Sequence, residues 1–475
     1  MQHLPQELVD YIIDYLHDDK SALASCACTH PTWVDSARLH LFTSVRTIVL
    51  VDPPEDSAVL QNGRGVRQLC SDKNDPRREL KRVLDFFMQE RNLKYRRYVK
   101  HLLIRGLCTL EVGKIGDILA MFPSLRTLSL VAVRLLPLSA SEFTKFGHFK
   151  VERLALSEVS AAPAGTMSKK PLLDLLSLFS HIGNLIVSEF YTGRVDMNEP
   201  YSLADKVEIS SISAIRLRDF DLLRTLLSES AQMEAVTSFS STITSISHIA
   251  YTNDFLAGFS PHMMRNLEFD LRWADRDVDP GMYHFYILTL RRTDFSNPRF
   301  HSLGVEYWSN TRLSNFSSLR SIRVHLPLHF VAGQDTLTAS WSTLLLLLTK
   351  LQTVPLSEVS IHLYFSIART VISEERTAQG TIIYRQRIDM NGWESMLGWE
   401  KLVEVMKSFT SLTKLRIYIA LQIDFSPPPP FFEPLEKEGF RGIEEVVEKN
   451  FKEFREKNML EISWQRDNWS SLVIS

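Results

Sequence analysis

The chain has 475 residues, with 54 basic against 56 acidic side chains, a formal net charge of −2 at pH 7, 44% hydrophobic and 23% charged residues. That balance excludes a whole-chain electrostatic attraction to nucleic acid or to an anionic membrane, and the composition is globular and not disordered. The length suits two or more ordinary domains, or one extended array of repeats.

The first element is a helix from Pro5 to Leu16. Proline suits its first turn, where a missing N–H costs nothing, and Leu8, Val9, Ile12, Ile13 and Leu16 follow at helical spacing. Tyr11 and Tyr15 widen the apolar arc to roughly 200°, about twice what one core needs. Asp18-Asp19-Lys20-Ser21 makes a polar break with Ser21 as the expected N-cap. A second short helix then carries Leu23, Ala24, Cys26 and Ala27, and a third starts at Pro31 and carries Trp33, Val34, Ala37 and Leu41 toward Phe42. Helices of about ten residues are marginal alone, and a unit of about forty residues rarely builds a sufficient core. The surplus apolar surface therefore predicts a partner, or a larger core that the trio caps.

These residues resemble the F-box pattern: Leu4-Pro5-Gln6-Glu7-Leu8, Ile12-Ile13, Leu16, Leu23, Cys26 and Trp33, closing with Leu39-His40-Leu41-Phe42. Thr29-His30-Pro31 departs from the family's usual residues. The resemblance implies that the trio docks on a Skp-family adaptor, and through it on a cullin-based ubiquitin ligase. Leu4, Pro5, Leu8, Ile12, Ile13, Leu16, Leu23, Trp33 and Phe42 are the implied adaptor-binding residues.

Beyond the trio, Val45 to Val51 reads as a strand and Glu55 to Pro76 as a linker or long loop. From about residue 80 a helical stretch leads repeatedly into a short strand. The first strands expected are Val99–Ile104, Leu125–Leu130, Val151–Leu156, Ile182–Val187, Ile212–Leu217 and Ile243–Ile249. Leu267–Leu271, Phe300–Val305, Leu319–Val324, Val359–Leu363 and Leu412–Ile417 follow. Leu102, Leu128 and Leu154 are 26 residues apart, and many strands have the form Leu-x-x-Leu-x-Leu, the signature of a leucine-rich solenoid. The asparagine that ideally follows each strand is mostly missing, so the repeats are irregular; an ordinary α/β domain is the alternative. Helices are clearest at Arg78–Tyr95, Leu172–Phe179, Leu222–Met233, Trp341–Leu351 and Trp393–Phe409. Thr370 to Met390 reads as an inserted hairpin, Pro427 to Pro430 as polyproline, and Ile443 to Met459 as a polar helix that caps the array.

Candidate chemistry is sparse. Cys26-x-Cys28-x-His30 has metal-capable side chains, but on a helix the two cysteines point about 200° apart. Gly106 to Gly113-Lys114 has six residues between its glycines where a phosphate loop has four, and Ile115 where a serine or threonine would hold magnesium. Cys26, Cys28, Cys70 and Cys108 have no framework spacing and read as reduced thiols. Nine basic residues between Arg77 and Lys100 (Arg77, Arg78, Lys81, Arg82, Arg91, Lys94, Arg96, Arg97, Lys100) face Glu79, Asp85 and Glu90, a local balance of +6. That stretch is either a solvated helix face or a dock for an acidic or phosphorylated partner.

The expected fold class is α/β: an F-box at residues 1–45, a linker with a first strand at 46–79, an irregular leucine-rich-repeat-like solenoid (a horseshoe) at 80–425, and a Pro-rich turn with a capping helix at 426–475. The expected function is that of a non-catalytic substrate receptor of a Skp-cullin-F-box ubiquitin ligase, with no cofactor and no metal. Its partners would be the adaptor and a protein target, without nucleic acid or membrane. A scaffold outside ubiquitination and a hydrolase with a site assembled from distant residues are the alternatives. The start of the chain lacks a signal peptide's pattern and Leu344–Leu348 is too short for a span, so a cytoplasmic or nuclear place is expected. Target contacts are expected on the concave strand face, with Arg126, Arg153, Arg216, Arg320, Arg323 and Arg416 as first candidates because arginine suits carboxylate and phosphate.

Overall fold

The structure, a computed structural model, describes residues 5–17, 19–48, 76–138, 148–161, 169–188, 206–215, 220–243, 246–271, 313–329, 334–366, 371–376, 382–387, 397–422 and 432–467. Leu4 and Arg216 lie outside them, as do Phe300–Val305, Pro427–Pro430 and the expected linker from Glu55 to Asp75. The chain divides into two compact units, Met1–Val236 and Thr237–Ser475.

The first unit begins with the expected helices α1 (Gln6–Tyr15), α2 (Lys20–Thr29) and α3 (Pro31–Thr43). Asp19, not Ser21, caps α2: its carboxylate accepts the Ala22 N–H at 2.9 Å, the third helical amide that an N-cap oxygen ordinarily reaches. Val9, Ile13, Leu23 and Ala37 form a small buried core, with Leu16, Cys26, Ala27, Trp33 and Leu41 partly buried around it. The trio is continuous with the repeats. Phe42 packs on Phe86, Phe87 and Tyr95 with ring centroids 5.6, 5.8 and 5.1 Å away, and the Lys100 N–H donates to the Thr43 carbonyl at 3.0 Å.

The following elements are β1 (Ser44–Ile48), α4 (Pro76–Met88), a 3-10 helix (Glu90–Tyr98), β2 (His101–Glu111), α5 (Val112–Met121), β3 (Thr127–Leu136), β4 (Phe149–Ser157) and β5 (Ser160–Ala161). After them come α6 (Lys170–Ser177), β6 (Phe179–Ser188), β7 (Glu208–Ile215) and α7 (Phe220–Ser230). The strands pair in parallel in the order β1-β2-β3-β4-β6-β7, and β5 pairs with β3. The 26-residue interval has a direct counterpart, since Leu102, Leu128 and Leu154 are register partners on adjacent strands and all are buried. Helix α5 escaped the sequence pattern. Its Val112, Ile115, Ile118 and Leu119 are buried at helical spacing, so the false phosphate loop is a strand end running into a helix.

Two features of this unit carry strain or charge. A Cβ on Gly183 would stand 2.6 Å from the Glu152 carbonyl oxygen of the neighbouring strand. Backbone, and not a movable side chain, is the obstacle, so Gly183→Ala is expected to destabilise by about 1–3 kcal/mol, read as a fall in the denaturant midpoint. Within α6 the Asp174 carboxylate is wholly buried, accepting the Leu138 N–H at 2.7 Å and a hydrogen from Lys170 Nζ at 2.6 Å. Nearby the buried Lys169 ammonium meets Glu229 at 2.6 Å.

The second unit contains β8 (Ser238–Thr242), α8 (Ile246–Leu256), β9 (Asn266–Asp270), β10 (Ser321–His329), α9 (Gln334–Lys350), β11 (Glu358–Ser366), β12 (Val371–Arg376) and β13 (Ile382–Arg387). It ends with α10 (Trp399–Ser408), β14 (Lys414–Gln422), α11 (Phe432–Asn450), α12 (Lys452–Glu456) and β15 (Leu460–Asp467). Its parallel sheet runs β8-β9-β10-β11-β14-β15, and β12 and β13 form the expected hairpin as an antiparallel pair.

Two expectations need correction here. Ile243 to Ile249 is not a strand: the strand is Ser238–Thr242, and Ile249, Thr252, Phe255 and Leu256 are the buried face of α8. The isoleucines at 243, 246 and 249 recur every three residues, an interval that fits a helix better than the two-residue period of a strand. The array also does not stop at residue 425 under a capping helix, because β15 beyond α11 and α12 adds in parallel to β14.

Entry into six of these strands is the same. Two consecutive amides donate to one carbonyl at the entrance of the preceding strand: Arg126 and Thr127 to Lys100, Glu152 and Arg153 to Arg126, Arg265 and Asn266 to Thr237. The series continues with Arg320 and Ser321 to Arg265, Ser357 and Glu358 to Arg320, and Thr413 and Lys414 to Ser357. The fold class is thus α/β with open parallel sheets and repeat-like steps. Among the described residues no helix is long and apolar enough to cross a membrane.

Candidate functional site

Helix α1 turns its apolar arc two ways. Val9 and Ile13 enter the core of the trio, while Leu8, Tyr11, Ile12 and Tyr15 are 50%, 72%, 39% and 83% exposed. Positions 8, 11, 12 and 15 are one helical stripe, so the exposed side chains are contiguous. Of the residues that the sequence singles out, Leu8 and Ile12 lie on this stripe, and Pro5 stands exposed at the start of the helix. Ile13 and Leu23 do not share it: they are fully buried between the helices, where the short trio needs them for its own core. Leu16 and Trp33 pack at its margin, and Phe42 faces the aromatic group of the first repeats. Cys26 packs against the same core, whereas Cys28 is exposed.

The second candidate surface is the polar face of the second unit's sheet. Leu267, Phe269, Ile322, Val324, Val359, Ile361, Leu415 and Ile417 point to the buried side, so the alternate residues share the other face. Register sets Glu268, Arg323, Ser360, Arg416 and Glu461 in one row across five strands, and Asp270, His325, His362, Tyr418 and Ser463 in the next. In the first row Arg323 donates to Glu268 at 3.4 Å, and Arg416 donates to Glu461 at 3.1 Å and also to Glu358. In the second the rings lie against one another: His325 and His362 centroids are 4.3 Å apart with a 34° tilt, and His362 and Tyr418 stack 4.6 Å apart and within 3° of parallel.

His325 ties the rows together. Its Nε2 is 2.9 Å from Glu268 Oε1 and its Nδ1 3.0 Å from the Tyr364 hydroxyl. An ionised carboxylate only accepts, so Nε2 carries the hydrogen that Glu268 receives. Burial pushes the Glu268 carboxyl up, with Asp270 adding to it, but the His325 hydrogen bond and the charges of His325 and Arg323 outweigh both and leave it below its ordinary value. A carboxylate lowered by folding contributes stability above its unfolded pKa and loses it as pH falls through the lowered one. Glu268→Gln is therefore expected to flatten the loss of stability on acidification, measured as urea midpoints from neutral pH down through the carboxylate range.

The arginine candidates divide. Arg323 and Arg416 lie on this face but are already paired with glutamates; Arg153 is half-buried on the corresponding face of the first unit. Arg126 and Arg320 stand at strand entrances, where Arg126 meets Glu152 at 3.4 Å and Arg320 donates to the Pro355 carbonyl at 3.2 Å. The polar face of the first unit carries smaller residues, including Thr127, Ser129, Ala155, Asn184, Ser211 and Ser213. The ring stack and its acidic partner were missed in the sequence, because residues up to 57 positions apart are brought together only by strand register.

Ser360 Oγ lies 3.1 Å from His362 Nε2, within reach for an activated serine. Ser360 itself is buried on the strand that both residues share. No protein-family model and no curated protein matches the chain.

Proposed function

We propose that the protein is the substrate-recognition subunit of a Skp-cullin-F-box type ubiquitin ligase, with the N-terminal trio as adaptor dock and the sheet faces as target platform. The observation that carries this is the stripe of Leu8, Tyr11, Ile12 and Tyr15 that the trio's own core leaves uncovered. Fully burying a large apolar side chain contributes about 1.5–3 kcal/mol, so such a stripe can supply much of a stable interface once a partner covers it. The resemblance of Leu4 to Phe42 to the F-box pattern names the partner's class. The packing of Phe42 on Phe86, Phe87 and Tyr95 supports a fixed geometry between the dock and the first repeats. In such a receptor the ligase supplies the chemistry and this chain supplies position.

Co-expression of the tagged full chain with a Skp-family adaptor tests the proposal. A stoichiometric complex that also recruits a cullin is expected. A chain that purifies without adaptor would be an interaction scaffold outside ubiquitination.

A further inference from the structure

The 3-10 helix Glu90–Tyr98 runs for nine residues, whereas such helices rarely exceed three or four. Side chains at i and i+3 eclipse in this geometry, which sorts the segment into edges. Asn92 and Tyr95 are buried along one edge, which continues to the half-buried Tyr98. Arg91, Lys94 and Arg97 are exposed along another, and at about 2.0 Å rise per residue their stems are about 6 Å apart. Helix α4 adds exposed Lys81 and Arg82, and Met88 and Leu93 are exposed apolar neighbours.

Counter-charges are scarce on this shoulder. Of Lys81, Arg82, Arg91, Lys94, Arg96, Arg97 and Lys100, only Lys94 meets a carboxylate among the described residues, Asp35 at 3.5 Å with both side chains exposed. Arg91 donates to the Gln89 amide oxygen, Arg96 to the Phe87 carbonyl, and Arg97 to the Tyr98 hydroxyl while lying 4.9 Å above that ring. Adjacent His101 is held below its ordinary value by burial and then by the charges of Lys100, Arg126 and Arg153, with Glu152 opposing. Exposed cations elsewhere, such as Lys407 and Lys414, meet glutamates.

We propose that the Arg91, Lys94 and Arg97 edge docks an extended acidic segment of a protein partner. Residues on one side of an extended chain recur every second position, about 6.6 Å apart, close to the interval between these cations. Carboxylates at alternate positions thus meet successive guanidinium and ammonium groups, and the planar arginine forks suit them. Single-stranded nucleic acid is the poorer match, because it uses exposed aromatic platforms and the tyrosines here are turned inward or lie beneath Arg97. The site is separate from the α1 stripe, so it stands or falls independently of adaptor binding.

The test uses the full chain alone and fluorescence anisotropy with three probes: a labelled peptide with glutamate at every second position, one of the same composition with its glutamates in one block, and a single-stranded RNA. The alternating peptide is expected to bind more tightly than the block peptide and to weaken with salt. Arg91→Gln, Lys94→Gln and Arg97→Gln together should weaken it by about tenfold or more with an unchanged melting transition. If that triple substitution shifts the melt, Arg91→Gln alone should still give a loss of roughly threefold. Absence of peptide binding at low salt, equal binding of the two peptides, indifference to the substitutions, or RNA binding as tight and lost with the same residues would each overturn the proposal.

Discussion

Leu8→Arg is expected to abolish capture of a Skp-family adaptor while leaving the melting transition of the chain in place. Leu8 is half-exposed on α1, and a surface substitution of that kind ordinarily changes stability by no more than about 0.5 kcal/mol. In a complex that covers the stripe, the same guanidinium is driven into an apolar contact, where an unpaired charge costs several kcal/mol. Each 1.4 kcal/mol is a factor of about ten in affinity, so a loss of a hundredfold or more is expected in a pull-down or titration. Ile13→Arg is the informative contrast. Ile13 is wholly buried with Val9, Leu23 and Ala37, so that change should unfold the trio and lose binding by a different route, visible in helix content. Retention of adaptor by the Leu8 variant would remove α1 from the interface.

The largest expected effect on stability is at Asp174. Replacing it by alanine strands the buried Leu138 N–H. An unsatisfied buried donor costs about 1–3 kcal/mol, and removing one member of a buried ion pair more. Lys170 is partly exposed and can turn its ammonium to water, so the total should fall near 2–4 kcal/mol and not higher. Asp174→Asn keeps one acceptor oxygen and should lose less. Urea unfolding of the full chain decides: a shift of Asp174→Ala smaller than that of Asp174→Asn would show that the hydrogen bond is not what matters there.

The strands of the first unit were legible because Leu102, Leu128 and Leu154 repeat at a constant interval and the sheet keeps that interval as register. Helix α8 was misread because a short run of isoleucines does not separate strand from helix unless its period is counted. Strand β15 was hidden because its short alternation of Leu460, Ile462 and Trp464 lies beside a long charged helix. On α1 the width of the apolar arc was readable, and it implied two contacts. Which half met the trio's own core was not readable, since that depends on where α2 and α3 cross. The arginines of the sheet looked free in the sequence. Their glutamates lie 55, 58 and 45 residues away, at distances the chain alone does not relate.

The shared carbonyl at six strand entrances bears on how such a chain can change over generations. Successive entrances are 26 residues apart between Lys100 and Arg126, yet 55 between Arg265 and Arg320 and 56 between Ser357 and Thr413, and the same pair of amides finds the same kind of acceptor each time. Alignment of a new strand is therefore indexed at its first peptide, and the length of the excursion before it is nearly immaterial. Doubling a flexible excursion costs only about 0.6 kcal/mol in closure entropy. Insertions can accumulate between entrances while the sheet stays in step, so descendants of one ancestral array can keep their architecture long after their repeat length has ceased to be recognisable.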